Sequence, residues 1–225
     1  MPKRARSSAQ DLARRGPRRE PRRRILVLCE GGETEPGYLK ALQAEFRNPL
    51  VEIVIEGFGE DPKALVERAL AMKMDAEREA RRSGDDFLRY DEIWCVFDVD
   101  DHARLHDARQ QARDHGIELA VSNPCFELWA LLHFQEQTAW IERDKLRSFL
   151  KRYLPEYRKA LPFHLLRPGY AEAVRRAEHL DKLCEKNGSP GDNPSTGVYR
   201  LTERIRQEGQ GSTAPPPAAG RSRRG

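Results

Sequence analysis

The chain has 225 residues, 38% of them hydrophobic and 34% charged, with a formal net charge of +4. That length suits one domain with a small addition, and a charged share above the usual ~25% means that part of the chain lies outside any core. No run nears the ~18 consecutive apolar residues of a membrane helix, and the first twenty residues carry no apolar stretch of a secretory signal. Cys29, Cys95, Cys125 and Cys184 stand singly, without the paired spacing of a zinc ribbon or a disulfide scaffold. Reduced thiols and a cytoplasmic location are the expectation, with no membrane partner.

The charge is uneven. Residues 1–24 hold ten Lys/Arg against Asp11 and Glu20, and residues 209–225 hold Arg221, Arg223 and Arg224 with no acid. The ends therefore carry +8 and +3, which leaves the stretch 25–208 at −7. Residues 1–23 are too poor in large apolar side chains to bury a core and are expected to form a disordered basic arm. Residues 209–225, with Pro215-Pro216-Pro217, are expected to form a disordered tail. Such arms contact phosphate backbones or merely solubilise, and composition does not choose between these.

Along the chain, Arg24–Cys29 is a continuous apolar run stopped by Glu30-Gly31-Gly32, the pattern of a buried parallel strand. Thr34 is the expected N-cap of a helix striped by Tyr38, Leu39, Leu42 and Phe46. Leu50–Ile55 is a second strand. Asp61 followed by Pro62 opens a helix carrying Leu65, Val66, Ala69, Leu70 and Met74. Ile93–Phe97 is a third strand, ending at Asp98-Val99-Asp100-Asp101. A polar helix then runs to His115, Ile117–Val121 is a fourth strand, Ser122-Asn123-Pro124 turns, and Phe126–Leu132 is an apolar helix. Four alternations of strand and helix predict an α/β core over residues 24–135, with a mostly parallel sheet flanked by helices. No strand is expected beyond Gln135. Helices near 143–153, 169–186 and 196–208 are expected to pack on the core as an annex over residues 136–208.

Sites in open α/β sheets form at the carboxyl ends of the strands, and here those ends are acidic. The first strand delivers Glu30, with Glu33 and Glu35 behind it; the third delivers Asp98 and Asp100. Alternation along an extended backbone puts Asp98 and Asp100 on one side, where both reach one hard cation. Magnesium (Mg2+) suits such oxygen ligands, and manganese (Mn2+) substitutes. If the first and third strands are neighbours, Glu30 lies across from the aspartate pair. The competing reading is that acidic residues after strands cap or complement the next helix. That reading is preferred for Asp101, Glu33 and Glu35, whereas Glu30, Asp98 and Asp100 are read as metal ligands and catalytic residues. Glu127 falls in the first turn of its helix, where it either completes the metal site or complements the helix dipole. Asn123 is read as a turn residue and Cys125 as a buried thiol. His102 and His106 share a helix face but have no third ligand, and His133 is read as a core histidine. Asp-x-Asp also occurs in haloacid-dehalogenase-type phosphatases, but on their first strand and with a different sequel. The stretch Arg143–Lys159 is basic and interleaved with Tyr153 and Tyr157, a combination suited to holding a nucleic-acid backbone.

Three segments together resemble the RloB family: Cys29-Glu30-Gly31-Gly32-Glu33-Thr34-Glu35 with Tyr38, Trp94 to Asp100, and Ser122-Asn123-Pro124-Cys125-Phe126-Glu127-Leu128-Trp129 with His133-Phe134. Tyr157-Arg158-Lys159 and Asn193-Pro194-Ser195-Thr196, with Val198 and Leu201, extend the resemblance over roughly residues 24–208. It implies a Toprim-like fold related to the OLD-type nucleases, in which Glu30 matches the glutamate after the first strand and Asp98 and Asp100 the Asp-x-Asp after the third. It further implies magnesium-dependent phosphoryl transfer on DNA or RNA, an ABC-type ATPase encoded nearby, and a part in phage defence by abortive infection. The chain has no P-loop of its own, so an ATPase must come from a partner. Two functions follow: a Toprim-like nuclease, or a non-catalytic module that senses nucleic acid or nucleotide for the ATPase.

Overall fold

The computed structural model describes residues 23–47, 51–58, 61–99 and 105–210. Arg23, expected in the basic arm, begins the first strand, and Gly209 and Gln210, expected in the tail, end the last helix; residues 1–22, 211–225 and 100–104 lie outside the described residues. The sheet has five strands in the order β2-β1-β3-β4-β5. These are β1 (Arg23–Cys29), β2 (Val51–Gly57), β3 (Glu92–Asp98), β4 (Glu118–Asn123) and β5 (Ser195–Thr196). The first four run parallel; β5 pairs antiparallel with the end of β4, through Ser122↔Thr196 and Asn123↔Ser195. The fifth strand corrects the expectation of none beyond Gln135. Two residues carry no readable periodicity, and only the pairing with β4 defines them as a strand.

Strand alternation sorts the core into two layers. Ile25, Val27, Cys29, Trp94, Val96 and Ala120 face one layer, and Leu26, Leu28, Ile93, Cys95 and Phe97 face the other. Both sides are covered, which explains why β1 and β3 read as unbroken apolar runs. The second layer is closed by α2 (Pro62–Ser83) and α3 (Leu105–His115). The first is closed by α1 (Thr34–Glu45), α4 (Glu127–Leu132), α5 (Arg143–Tyr153), α6 (Phe163–Leu166), α7 (Tyr170–Lys186) and α8 (Val198–Gln210). The C-terminal helices therefore complete the core of one sheet face.

Helix α2 starts as its sequence predicts: Asp61 Oδ1 accepts from the backbone N–H of Lys63 at 3.0 Å and of Ala64 at 3.3 Å, with Pro62 at the first helical position. Helix α1 does not. Glu33 holds the cap position without a side-chain cap bond, and Thr34 is the first helical residue. The chain has turned into the helix one residue early, because Glu30-Gly31-Gly32 folds tightly against the end of β2. A side-chain carbon at Gly57 would stand 2.4 Å from the Gly31 carbonyl oxygen, so only glycine permits that approach.

The core is polar at one buried point. His133 lies among Tyr38, Trp129 and Tyr170 and is 5% exposed. Its Nδ1 lies 2.9 Å from the Trp129 carbonyl oxygen and its Nε2 3.3 Å from the Tyr38 hydroxyl. Nδ1–H therefore donates to the carbonyl, and the Tyr38 O–H donates to Nε2, which fixes a neutral imidazole. This is a satisfied core histidine, as its sequence context predicts.

Candidate metal centre

The site grows from three strand ends and one helix. β1 and β3 are neighbours, so Glu30 continues beyond Cys29 directly beside Val96: its N–H donates to the Val96 carbonyl at 2.9 Å. Its carboxylate returns to β3, where Oε2 accepts the backbone N–H of Asp98 at 3.1 Å. Asp98 ends β3 with the parity of Trp94 and Val96, which places it on the face that the C-terminal helices cover. There its Oδ1 accepts the N–H of Phe126 at 2.8 Å, and its Oδ2 lies 3.5 Å from Nη2 of Arg143. The same Arg143 nitrogen donates to the Pro124 carbonyl at 3.1 Å.

Glu127 enters from the first turn of α4 and is 6% exposed. Its Oε1 accepts from Arg147 Nε at 2.8 Å and from the Tyr157 hydroxyl at 3.0 Å. Potential ligand atoms of Asp98, Cys125 and Glu127 lie within 4.8 Å of one another. Glu35 joins them. It is 7% exposed, and a side-chain carbon at Gly31 would stand 2.1 Å from its Oε2. Gly31 thus leaves the space into which Glu35 folds back.

The electrostatics identify a strained acidic cluster. Burial pushes the Asp98 carboxyl well above its ordinary range, and Glu35, Glu127 and Glu30 push it further, while Arg143 opposes them. Glu35 is raised by burial first, then by Glu127 and Glu30. Burial also opposes ionisation of Glu127, yet its bonds with Cys125, Arg147 and its own backbone hold it below the usual carboxylate range. Burial and the neighbouring carboxylates raise the Cys125 thiol, so without a metal it stays protonated. The potential donors are thus carboxylate oxygens with the Cys125 sulfur beside them.

Of the residues chosen from sequence, Glu30, Asp98 and Glu127 meet at one edge, and Asp100 lies outside the described residues. Cys125 is a fully buried thiol, as expected. Asn123 ends β4 instead of making a turn and donates from Nδ2 to the Gly191 carbonyl at 3.0 Å. His102 lies outside the described residues, and His106 is exposed. Sequence reasoning missed Glu35, which it assigned to the helix start, and Arg143, Arg147 and Tyr157, which it assigned to a nucleic-acid face. Arg143 and Arg147 stand one turn apart on α5, beside buried Leu146 and Leu150, and only that packing brings both to the acidic edge.

Fold and site together define an α/β protein with an acidic, arginine-braced centre at the carboxyl edge of a parallel sheet. The sequence profile of the RloB-like protein family matches residues 25–205, and the chain belongs to that family. Nothing matches it among curated proteins or solved structures. Among the described residues, no helix is long and apolar enough to cross a membrane.

Proposed function

We propose that this chain is a magnesium-dependent, Toprim-like nuclease that works with a partner ABC-type ATPase in phage defence. The observation that carries the reading is the convergence of Glu30, Glu35, Asp98 and Glu127 on one strand edge. Like charges gathered there destabilise the site unless a proton or a cation intervenes. Asp98 would hold the ion, with Asp100 and Glu127 as further ligands and manganese as a substitute. The bound ion would polarise a phosphodiester and acidify water. Glu30, whose Oε2 accepts the Asp98 N–H, would hold a second ion or, as the alternative, take the proton of the attacking water. Arg143, which reaches Asp98 and the Pro124 carbonyl, would bring its positive charge beside a bound phosphate, while Arg147 and Tyr157 keep Glu127 in place.

The same helix offers a path for the substrate. Lys145, Lys151 and Arg152 lie exposed along α5. Tyr153 is already stacked on Phe134, with centroids 4.7 Å apart, and Tyr157 is buried on Glu127. Trp140, three residues before α5, is 67% exposed and is the aromatic left to meet a base. Its neighbour Ile141 is clasped by Asn193, which bonds the Ile141 N–H and carbonyl at 3.1 and 2.9 Å. Trp140→Ala is expected to weaken single-strand binding by roughly 1–3 kcal/mol, the usual worth of base–aromatic stacking. Fluorescence anisotropy of a dye-labelled oligonucleotide measures this in the wild type and the variant alike, since the probe is on the ligand.

The test of function is a cleavage assay on single- and double-stranded DNA and structured RNA, with magnesium or manganese, with and without any co-encoded ABC-type ATPase. Divalent-dependent cleavage of one class is the expected result. If the purified complex cuts none of them, the nuclease reading fails and a non-catalytic nucleic-acid sensor replaces it.

A further inference from the structure

A second feature stands away from the acidic edge. Between α3, β4, α7 and the loop before β5 lies a cleft of about 300 Å³, at the low end of the roughly 300–1,000 Å³ typical of small-molecule sites. One wall is cationic and the other mixed, because Arg200 of α8 lines it beside two acids. Arg109 and Arg113 line it from α3, one turn apart; Asp181 and Glu185 line it from α7, also one turn apart. Leu119, Val121 and Pro190 supply apolar surface between them. Asp181 is engaged with Arg200 and the Tyr199 hydroxyl. For Arg109, by contrast, no partner is present among the described residues. Its guanidinium reaches over Gly191, where a side-chain carbon would stand 3.5 Å from Nη2.

Arg200 neutralises Asp181, so Glu185 is the acid on that wall that can accept from a ligand, opposite Arg109 and Arg113. A molecule that is anionic at one end, flat and apolar in the middle and rich in donors at the other satisfies all three surfaces. We propose that this cleft is a binding site for a nucleoside phosphate. The phosphate lies against Arg109 and Arg113, the base lies on Leu119, Val121 and Pro190, and a sugar hydroxyl or exocyclic amine donates to Glu185. The loop that closes the cleft is also tied to the acidic edge, since Gly191 accepts from Asn123 and Asn193 clasps Ile141, two residues before Arg143. The binding site itself does not depend on the nuclease reading.

Calorimetric titration of the full chain in EDTA tests the proposal, because chelation keeps metal–nucleotide complexes away from the carboxylates. The probes are AMP, GMP, CMP and UMP, with ATP, adenosine and inorganic pyrophosphate. At least one mononucleotide is expected to bind, with adenosine and pyrophosphate each tenfold weaker or worse. Arg109→Glu and Arg113→Glu, both off the buried Ala108 and Ala112 stripe of α3, are expected to weaken binding at least tenfold without changing the melting temperature. Asp98→Asn is expected to bind as wild type does. No heat with any nucleotide overturns the proposal. So does pyrophosphate binding as tightly as a mononucleotide, which marks a generic anion patch, and so does unchanged affinity in Arg109→Glu. Loss of binding in Asp98→Asn assigns the nucleotide to the acidic edge and also overturns it.

Discussion

Glu30→Gln and Asp98→Asn are each expected to lower divalent-dependent phosphodiester cleavage by about three orders of magnitude or more, since a misplaced ion loses both water activation and charge stabilisation. Neither is expected to unfold the protein. An asparagine at position 98 keeps an oxygen for the Phe126 N–H, which donates at 2.8 Å. It also removes a charge that burial, Glu35, Glu127 and Glu30 all disfavour. The sign follows from linkage. Asp98 and Glu35 are raised in the folded state, so the native protein binds more protons than the unfolded chain between their unfolded and folded values. Metal-free stability therefore falls as pH rises through the folded values. Asp98→Asn in EDTA near neutral pH should melt at the same temperature as wild type or higher, by about 2–4 °C for each kcal/mol of repulsion relieved. A variant that loses activity and also several degrees of stability would assign Asp98 a structural role.

The second large effect is a pH dependence in the core. Burial lowers the His133 imidazole from its ordinary 6.5 to about 4. The unfolded chain takes up that proton first, so stability is lost as pH falls from about 6.5 toward 4. Between pH 7 and 4.5 the loss is about 2–3 kcal/mol, from 1.36 kcal/mol per pH unit. Asp98 and Glu35 act in the opposite direction over the same acid range. Urea titrations in the Asp98→Asn background reduce that opposition, and His133→Gln should flatten the remaining slope. A profile equally steep in His133→Gln would show that another group titrates.

Much of this molecule is legible in its sequence, and the boundary of legibility has physical causes. The strands β1 and β3 announce themselves because both faces are buried, and Asp61-Pro62 announces α2 because capping is local chemistry. Glu30 and Asp98 are legible because the carboxyl edge of a parallel sheet follows from topology. Glu35 is not, because its inward turn depends on the space left by Gly31. Arg147 and Tyr157 are not, because a basic stretch reads as a solvated face until the packing of Leu146 and Leu150 fixes which side of α5 is inward. Strand β5 is defined by its partner alone.

The account stands on a divalent ion at the acidic edge, and direct titration with manganese followed by electron paramagnetic resonance measures it without needing a substrate. Wild-type protein is expected to bind manganese, magnesium to compete for the same site, and Asp98→Asn to lose it while the Arg109→Glu protein retains it. Absence of bound manganese at millimolar concentration, or binding unchanged in Asp98→Asn, would contradict the account.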